Sequence, residues 1–187
     1  MRKAAWTYLG LIALLALLFG LLWLKNGAWL GHANAFLLGG PDDGLKNNFT
    51  TIWHIRRDAN SVHYTGMNAP WGEHVVFTDG QPLFADGIRW LGKRFEFIKN
   101  RDIGWLNWLV VLSQMLGAAC IYLIFRRLHL PVWFAVLAST GLVLISPQNA
   151  ELNAGHFSLA NQWVMPMVLL WLIHYEERDY RRPWSLF

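Results

Sequence analysis

Two adjacent carboxylates, Asp42 and Asp43, follow the turn-forming sequence GGP at residues 39–41. A carboxylate can accept a proton from a sugar hydroxyl and so act as a general base. The competing interpretation is structural, because Asp at the start of a helix satisfies free backbone N–H groups. Two neighbouring carboxylates can divide these tasks, and the sequence leaves open which one caps and which one reacts.

Histidine His156 is a second candidate, preceded closely in the chain by Glu151. An imidazole within reach of a phosphate could bind it or transfer a proton. The alternative is that His156 is an ordinary interfacial side chain at a membrane boundary.

A third polar set contains Glu73, His74 and Asp79. In an extended segment Glu73 and His74 point to opposite faces, so this pair is a weak candidate for holding a metal ion. No metal ligands are therefore assigned. The sequence leaves the cofactor unknown and does not indicate a divalent metal.

The composition identifies the class of protein that must position these side chains. Of 187 residues, 55% are hydrophobic and 15% are charged, against about 25% charged in an average soluble domain. Twelve tryptophans suit the boundary between lipid and water. This composition excludes a disordered or nucleic-acid-binding chain. The net charge of +4 comes from residues clustered between apolar runs and not from one basic face, which fits a positive-inside pattern better than a polyanion ligand. The lone Cys120 excludes a disulfide framework.

Four apolar runs predict four transmembrane helices, at residues 4–24, 105–125, 130–146 and 159–175. The fold class is therefore all-α and integral to the membrane, with a long first loop at 25–104. A cleaved signal peptide is the alternative for the first run, which is however longer than a typical signal core. Residues 176–187 are expected to form a tail, and the closing sequence RRPWSLF resembles the start of another span, which leaves open whether the chain is a fragment.

The distribution of Lys and Arg predicts the orientation. Basic residues flank the ends expected inside, whereas the short turn 147–158 has none. By the positive-inside rule the N-terminus is cytoplasmic and the loop 25–104 is exported.

The exported loop contains more than linker sequence. An amphipathic helix is predicted after GGPDDG, with Leu45, Phe49, Ile52 and Trp53 as its apolar positions. Residues 75–77 are predicted to be extended, before an Asp-Gly turn. A second helix, LFADGIRWLGKRFEFI at 83–98, is expected to lie along a leaflet of anionic lipid, which makes membrane lipid a partner.

Several motifs in series cover most of the chain: DGLKN at 43–47, WGEH at 71–74, TDGQPL at 78–83, GHFSL at 155–159, QW at 162–163 and Pro166. Together they resemble the GT-C superfamily of polytopic membrane glycosyltransferases, in particular a group of bacterial membrane proteins of that type. The resemblance implies a place in the bacterial inner membrane.

The resemblance also implies transfer of a sugar from a polyprenyl-phosphate-linked donor to an acceptor on the outer face. An acidic residue early in the first exported loop usually acts in catalysis, and Asp43 matches that place best, with Asp42 second. By the same analogy His156 and Asp79 would line the donor phosphate or the acceptor region.

Such enzymes typically have seven or more spans, so further transmembrane segments or subunits are expected partners. The basic residues nearest to the acidic pair, Lys46, Arg56 and Arg57, are candidates to stabilise a phosphate leaving group. Attraction to anionic lipid headgroups is the alternative role for them.

A different class of function stays open beside the enzyme. The chain could be a non-catalytic helix-bundle protein whose exported loop binds a glycan, a lipid or a protein. A transporter is disfavoured, because no predicted span carries a buried acidic or basic residue of the kind that marks an ion pathway.

Overall fold

The structure, a computed structural model, describes residues 2–40, 43–78 and 80–179. It is mostly helical, as predicted. The helices are α1 (Arg2–Leu30), α2 (Asp43–Arg56), α3 (Pro82–Gly92), α4 (Asp102–Arg127), α5 (Val132–Leu144), α6 (Gln148–Asn153) and α7 (Val164–Asp179). Strands β1 (His63–Tyr64) and β2 (Glu73–His74) form an antiparallel pair, and short 3₁₀ helices occupy Ala33–Ala35 and Val75–Thr78.

Three helical stretches are long and apolar enough to cross a membrane: Ala5–Leu30, Asp102–Arg127 and Val132–Asn153. The first two contain the predicted spans 4–24 and 105–125 almost entirely, and the third joins α5 to α6. The apolar stretch Val164–Glu176 is shorter. The prediction of helices long and apolar enough to span a membrane is thus confirmed.

The fourth predicted span differs most from its predicted bounds. Residues 157–160 and 162–163 form turns, and α7 begins only at Val164. Pro166 then lies in the first helical turn, where its missing N–H breaks no helical hydrogen bond. The backbone N–H of Gln162 donates to the Ser113 hydroxyl at 2.9 Å, so this N–H is satisfied by a side chain and not by a helical carbonyl.

The chain forms two compact units. The first, here the span unit, comprises the described residues up to Leu21, Ser113–Ile145 and the described residues from Gln162 onward. Within it the Tyr122 hydroxyl donates to the Thr7 carbonyl at 2.8 Å. A Cβ on Gly10 would come within 2.3 Å of that hydroxyl oxygen. A small residue therefore lets α1 and α4 approach closely, as is common between membrane helices.

The second, here the loop unit, comprises Leu22–Leu112 and Ser146–Asn161. Its apolar core contains Leu106, Val110 and Phe157, with Leu38, Phe84, Leu109 and Leu152 packed against them. Helices α2 and α3 contact each other in this unit. All the polar clusters described below lie within it.

Two local predictions in the loop unit were wrong. Residues Val75–Thr78 form a 3₁₀ helix instead of an extended segment. The Thr78 hydroxyl closes that turn by donating to the Val75 carbonyl at 2.7 Å. The second predicted helix ends at Gly92 and not at residue 98, because the N–H groups of Arg94 and Phe95 both turn back to the Leu91 carbonyl.

Helix α2 forms where it was predicted, but with the opposite face buried. Asn47, Asn48, Thr51 and His54 are almost fully buried, whereas Leu45 and Phe49 are half exposed. The apolar spacing thus predicted the helix correctly and its buried face wrongly. The reason is that the polar side chains of this helix find hydrogen-bond partners inside the unit, which offsets the cost of burying them.

Candidate functional site

A histidine lies between two carboxylates at the N-terminal end of α2. The Nε2 atom of His156 is 3.1 Å from Oδ2 of Asp43, and its Nδ1 atom is 2.8 Å from Oε2 of Glu151. Asp43 is the first residue of α2, where a negative charge also favours the helix dipole. We call this set the Asp43–His156–Glu151 cluster.

Three glycines make the cluster geometrically feasible. Gly39 and Gly155 have positive φ angles of 90° and 88°, a conformation that favours glycine. A Cβ on Gly155 would come within 2.1 Å of the Gly44 nitrogen, and one on Gly44 within 2.0 Å of the Gly39 oxygen. The segment that carries His156 therefore packs backbone against backbone on the first turn of α2.

Two buried asparagines hold this backbone contact in place. The Asn47 amide donates to the carbonyls of both Asp43 and Gly155, each at 2.9 Å. The Asn48 amide donates to the carbonyls of Leu38 at 3.0 Å and Gly44 at 2.8 Å. These side chains connect α2 to both glycine-containing segments, so the burial of the polar face of α2 positions the cluster.

The two carboxylates determine the charge of the histidine. Hydrogen bonds to Glu151 first, and to Asp43 second, raise the pKa of His156 above its ordinary value. An imidazolium has two N–H donors and can serve both carboxylates at once, whereas a neutral imidazole can donate to only one of them. The geometry therefore favours a cationic histidine between two anions.

The cluster is open to solvent. The side chains of Asp43, Glu151 and His156 keep 56%, 43% and 41% of their surface exposed. Each carboxylate has a second oxygen that can accept a further hydrogen bond. A small polar group from outside can therefore reach Asp43 without any rearrangement of the unit.

The structure separates the three basic candidates from one another. Lys46 lies one turn beyond Asp43 on α2 and is exposed. Arg56 forms an ion pair with the buried carboxylate of Asp102. Arg57 lies just past the other end of α2, about 21 Å along the helix axis from Asp43 at 1.5 Å per residue. Of the three candidates, Lys46 is the one close to Asp43 along the helix, and the role of Arg56 and Arg57 at a leaving phosphate stays a prediction.

Two predicted site residues, Asp42 and Asp79, lie outside the described residues, as does the tail from 180 to 187. The neighbours of Asp79 are described. The N–H of Gln81 donates to the Thr51 hydroxyl at 3.4 Å, and its side-chain amide donates to the Ser158 hydroxyl at 3.0 Å. The TDGQPL and GHFSL motifs are thus in direct contact in the loop unit.

A second histidine–carboxylate cluster lies further along α2 and is buried. Nδ1 of His54 is 2.8 Å from Oδ2 of Asp58, and its Nε2 is 3.7 Å from Oδ1 of Asp86. Asp58 also accepts hydrogen bonds from the N–H and hydroxyl of Thr65, at 3.1 Å and 2.6 Å. We call these residues, with Arg89, the His54–Asp58 cluster.

The sequence predicts that the second helix lies along anionic lipid. Arg89 of that helix instead belongs to the His54–Asp58 cluster. Its guanidinium forms an ion pair with Asp86 and donates to the carbonyl of Asp58 and the hydroxyl of Ser61. Only 15% of its side chain is exposed. The basic residues Lys93 and Arg94, which follow α3, are exposed.

In the third polar set, which contains Glu73, His74 and Asp79, Glu73 makes a contact within the fold. Glu73 accepts a hydrogen bond from the Asn68 amide at 2.8 Å, and His74 is exposed on the strand pair. Buried Tyr64 lies opposite Glu73. Burial, with Asp58 and Glu73 nearby, raises the pKa of Tyr64 to about 12. Among the described residues no group of three or more His, Cys, Asp or Glu side chains is arranged to hold a metal ion.

Sequence reasoning missed how the site is held together. Asn47, Gly44 and Gly155 belong to the motifs that carried the resemblance, but spacing alone assigned them no role. Gly39 was treated as part of a turn. The available signal was the recurrence of glycine beside each polar motif, since glycine allows two backbone segments to approach closely.

Comparison with known proteins gives one match. Neither the search of curated proteins nor the search of solved structures found a match to this chain. Residues 9–187 match the profile of a domain of unknown function, DUF6311. This match covers nearly the whole chain, including both histidine–carboxylate clusters, and the protein therefore belongs to the DUF6311 family.

Proposed function

We propose that the chain is a membrane glycosyltransferase of the GT-C type, or the N-terminal portion of one. It transfers a sugar from a polyprenyl-phosphate-linked donor to an acceptor on the outer face of the membrane. The observation that carries this proposal is the Asp43–His156–Glu151 cluster, in which a histidine contacts the exposed carboxylate of Asp43. Asp43 lies in the segment between the candidate spans Ala5–Leu30 and Asp102–Arg127.

Asp43 is the general base in this proposal. Its carboxylate accepts the proton of the acceptor hydroxyl, while the acceptor oxygen forms a bond to the anomeric carbon of the donor sugar. The bond between that carbon and the phosphate oxygen breaks, and its electron pair leaves with the polyprenyl phosphate. His156 positions this carboxylate through the contact of its Nε2 atom with Oδ2 of Asp43 at 3.1 Å.

Lys46 is the basic candidate that suits the leaving phosphate. It is exposed on the first turns of the same helix as Asp43. A cation near the developing charge stabilises a phosphate leaving group. Arg56 pairs with Asp102, which favours Lys46 over Arg56 for this role.

The motif series also supports the proposal. Segments around Asp43, Gln81 and His156, which carried the GT-C resemblance, meet in one unit through the contacts of Asn47 and Ser158. In the proposed topology the N-terminus is cytoplasmic, residues 25–104 are exported and the protein resides in a bacterial inner membrane. Asp79, next to this meeting point in sequence, is proposed to line the donor or acceptor region.

The experiment is an assay of the full chain in lipid nanodiscs with a panel of polyprenyl-phosphate-linked hexoses and an envelope polysaccharide fraction as acceptor. Release of polyprenyl phosphate is measured. Asp43→Asn removes the basicity but keeps the shape, and we expect it to lower the rate by about 10²- to 10⁴-fold.

The matched control is Glu96→Gln, another exposed carboxylate in the loop unit, which pairs with Lys99 at 3.5 Å. It should leave the rate within about twofold. Equal rates for wild type and Asp43→Asn would contradict the role of Asp43. If wild type releases no polyprenyl phosphate from any donor but binds a glycan, the non-catalytic binding protein is the correct alternative.

A further inference from the structure

A cavity of about 460 Å³ opens in the loop unit away from the Asp43–His156–Glu151 cluster. It lies between the end of α1 and the beginning of α4, and its walls are residues 30–35 on one side and Arg101, Gly104, Trp105 and Trp108 on the other. It shares no residue with either histidine–carboxylate cluster. The proposed glycosyl transfer does not use it.

The wall of this cavity is held by side-chain hydrogen bonds. The Asn34 side-chain oxygen accepts the N–H of Gly104 at 3.1 Å. The Asn107 amide donates to the carbonyls of Ala33 and Phe36, each at 2.7 Å. The two sides of the cavity are therefore tied together before any ligand arrives, as is usual for ligand sites.

The polar groups facing the cavity favour an anion. Arg101 supplies a guanidinium and His32 an imidazole, and none of the residues that line the cavity is Asp or Glu. The neighbouring carboxylate of Asp102 is already paired with Arg56. Within the described part of the chain Arg101 makes no ion pair, so its charge is available to a ligand.

Two tryptophans add to this set. Trp105 and Trp108 belong to the cavity wall together with Arg101. Tryptophan suits the boundary between lipid and water, where a headgroup meets the acyl chains.

The position of the cavity identifies the kind of anion. Leu30 ends one candidate span and Asp102 begins the next, and the joined ends of two consecutive spans lie at the same membrane surface. Lipid headgroups occupy that depth, and tryptophan is enriched there. A phosphate carried on a lipid would therefore reach the cavity without leaving the bilayer.

We propose that this cavity binds the phosphate headgroup of an anionic lipid, with Arg101 and His32 contacting the phosphate. The site is separate from the proposed catalytic cluster and stands whether or not the chain transfers sugars. The phosphate could belong to a phospholipid, to a polyprenyl phosphate or to a soluble anion, and the test separates these sources.

The test measures equilibrium binding to the detergent-solubilised full chain by native mass spectrometry. The probes are short-chain phosphatidylglycerol, phosphatidylcholine, a short polyprenyl phosphate and inorganic phosphate. We expect phosphatidylglycerol to bind more tightly than phosphatidylcholine, and Arg101→Gln to weaken its binding about tenfold, since charge-assisted hydrogen bonds are the strong ones.

Two further variants make the test specific. His32→Gln removes the imidazole from the cavity wall, and should weaken binding severalfold with an unchanged unfolding midpoint. Arg94→Gln is the matched control, because Arg94 is an exposed arginine of the same segment that stacks over Trp90 outside the cavity. It should change the affinity less than twofold.

The outcomes divide clearly. Tight binding of polyprenyl phosphate alone identifies a prenyl carrier as the source, and equally tight binding of inorganic phosphate identifies a soluble anion; both support a phosphate site. Equal affinity for phosphatidylcholine and phosphatidylglycerol overturns the proposal. So does an Arg94→Gln effect as large as that of Arg101→Gln, or an affinity that neither Arg101→Gln nor His32→Gln changes.

Discussion

The two histidine–carboxylate clusters of the loop unit use the same chemical groups in opposite environments. At the start of α2, His156 lies between Asp43 and Glu151 with all three side chains open to solvent. Further along the same helix, the side chains of His54 and Asp58 are 2% and 0% exposed. In both clusters the histidine lies near two carboxylates. The clusters therefore differ in their exposure to solvent and not in their chemical groups.

This comparison teaches which polar cluster can act on a ligand. In the buried cluster the carboxylate oxygens of Asp58 contact His54 and accept hydrogen bonds from Thr65, and Arg89 donates a hydrogen bond to the Asp58 carbonyl. A group whose acceptors are all used internally stabilises the fold and has none left for a substrate. In the exposed cluster Asp43 keeps acceptor capacity, so substitutions there should change activity and leave stability almost unaltered.

The largest expected change in stability comes from the buried cluster. Asp58→Ala leaves His54 and both Thr65 donors without their buried acceptor, and we expect it to lower the free energy of unfolding by about 3 kcal/mol. The measurement is denaturant unfolding of the detergent-solubilised chain, followed by tryptophan fluorescence. A loss no greater than that of Asp43→Ala would break the distinction between the clusters.

The backbone contact beneath the exposed cluster should come next. Gly155→Ala adds a Cβ at a positive φ and within 2.1 Å of the Gly44 nitrogen, which we expect to cost about 2 kcal/mol. The same unfolding measurement applies.

The control for that substitution is Gly87→Ala on α3, where a Cβ would meet nothing within 4 Å. There alanine should be neutral or stabilising, because it is the better helix former. If both alanines behave alike, the glycine contact does not determine the geometry of the site.

A smaller effect tests the electrostatic part of the comparison, namely the raised pKa of His156. Glu151→Gln removes the largest cause of the raised pKa of His156, so that pKa should fall toward its ordinary value. Titration of the ring proton by NMR measures it, with Glu73→Gln as the control. A pKa of His156 unchanged by Glu151→Gln would show that the Glu151 contact is absent in solution.

The same raised pKa has a defined effect on stability. Because the folded pKa lies above the unfolded one, the contribution of His156 is fully present below the unfolded pKa. It is lost as the pH rises through the folded pKa. Scans of unfolding midpoint against pH should show this loss in wild type and a weaker one in Glu151→Gln.

The smallest effect belongs to Asp43 itself. Asp43→Asn keeps the side-chain shape at an exposed position, so we expect the unfolding midpoint to move by at most about 2 °C. Thermal unfolding checks this in the preparations used for the transferase assay. A midpoint lowered as far as in Asp58→Ala would make Asp43 a structural residue, and any loss of turnover would then have no catalytic meaning.

Much of the fold followed from hydropathy. The runs at 4–24 and 105–125 lie in α1 and α4 because long apolar stretches are helical in any membrane arrangement. The start of α2 at Asp43 and of α3 at Pro82 followed from their local signals. These features depend on neighbouring residues alone, and for this reason they could be predicted.

What could not be predicted depends on contacts between distant segments. The buried face of α2 is polar because Asn47 meets Gly155, which lies more than a hundred positions away in the chain. The pairing of Arg56 with Asp102 also joins residues far apart in the chain, 46 positions from each other. The sequence predicted only that Asp43 and His156 lie on the same side of the membrane, and not that they are in contact. The glycines that bring them together have no side chain from which this contact could be predicted.

The contact among Gly39, Gly44 and Gly155 also restricts how this gene can vary. Every amino acid that a single-base change in a glycine codon can encode carries a Cβ atom, so no one-step missense mutation at these positions avoids the clash. Asp43 is different, since one base change converts an aspartate codon to an asparagine codon of nearly the same shape. Random mutagenesis should therefore recover well-folded inactive variants at Asp43 and poorly folded ones at the three glycines.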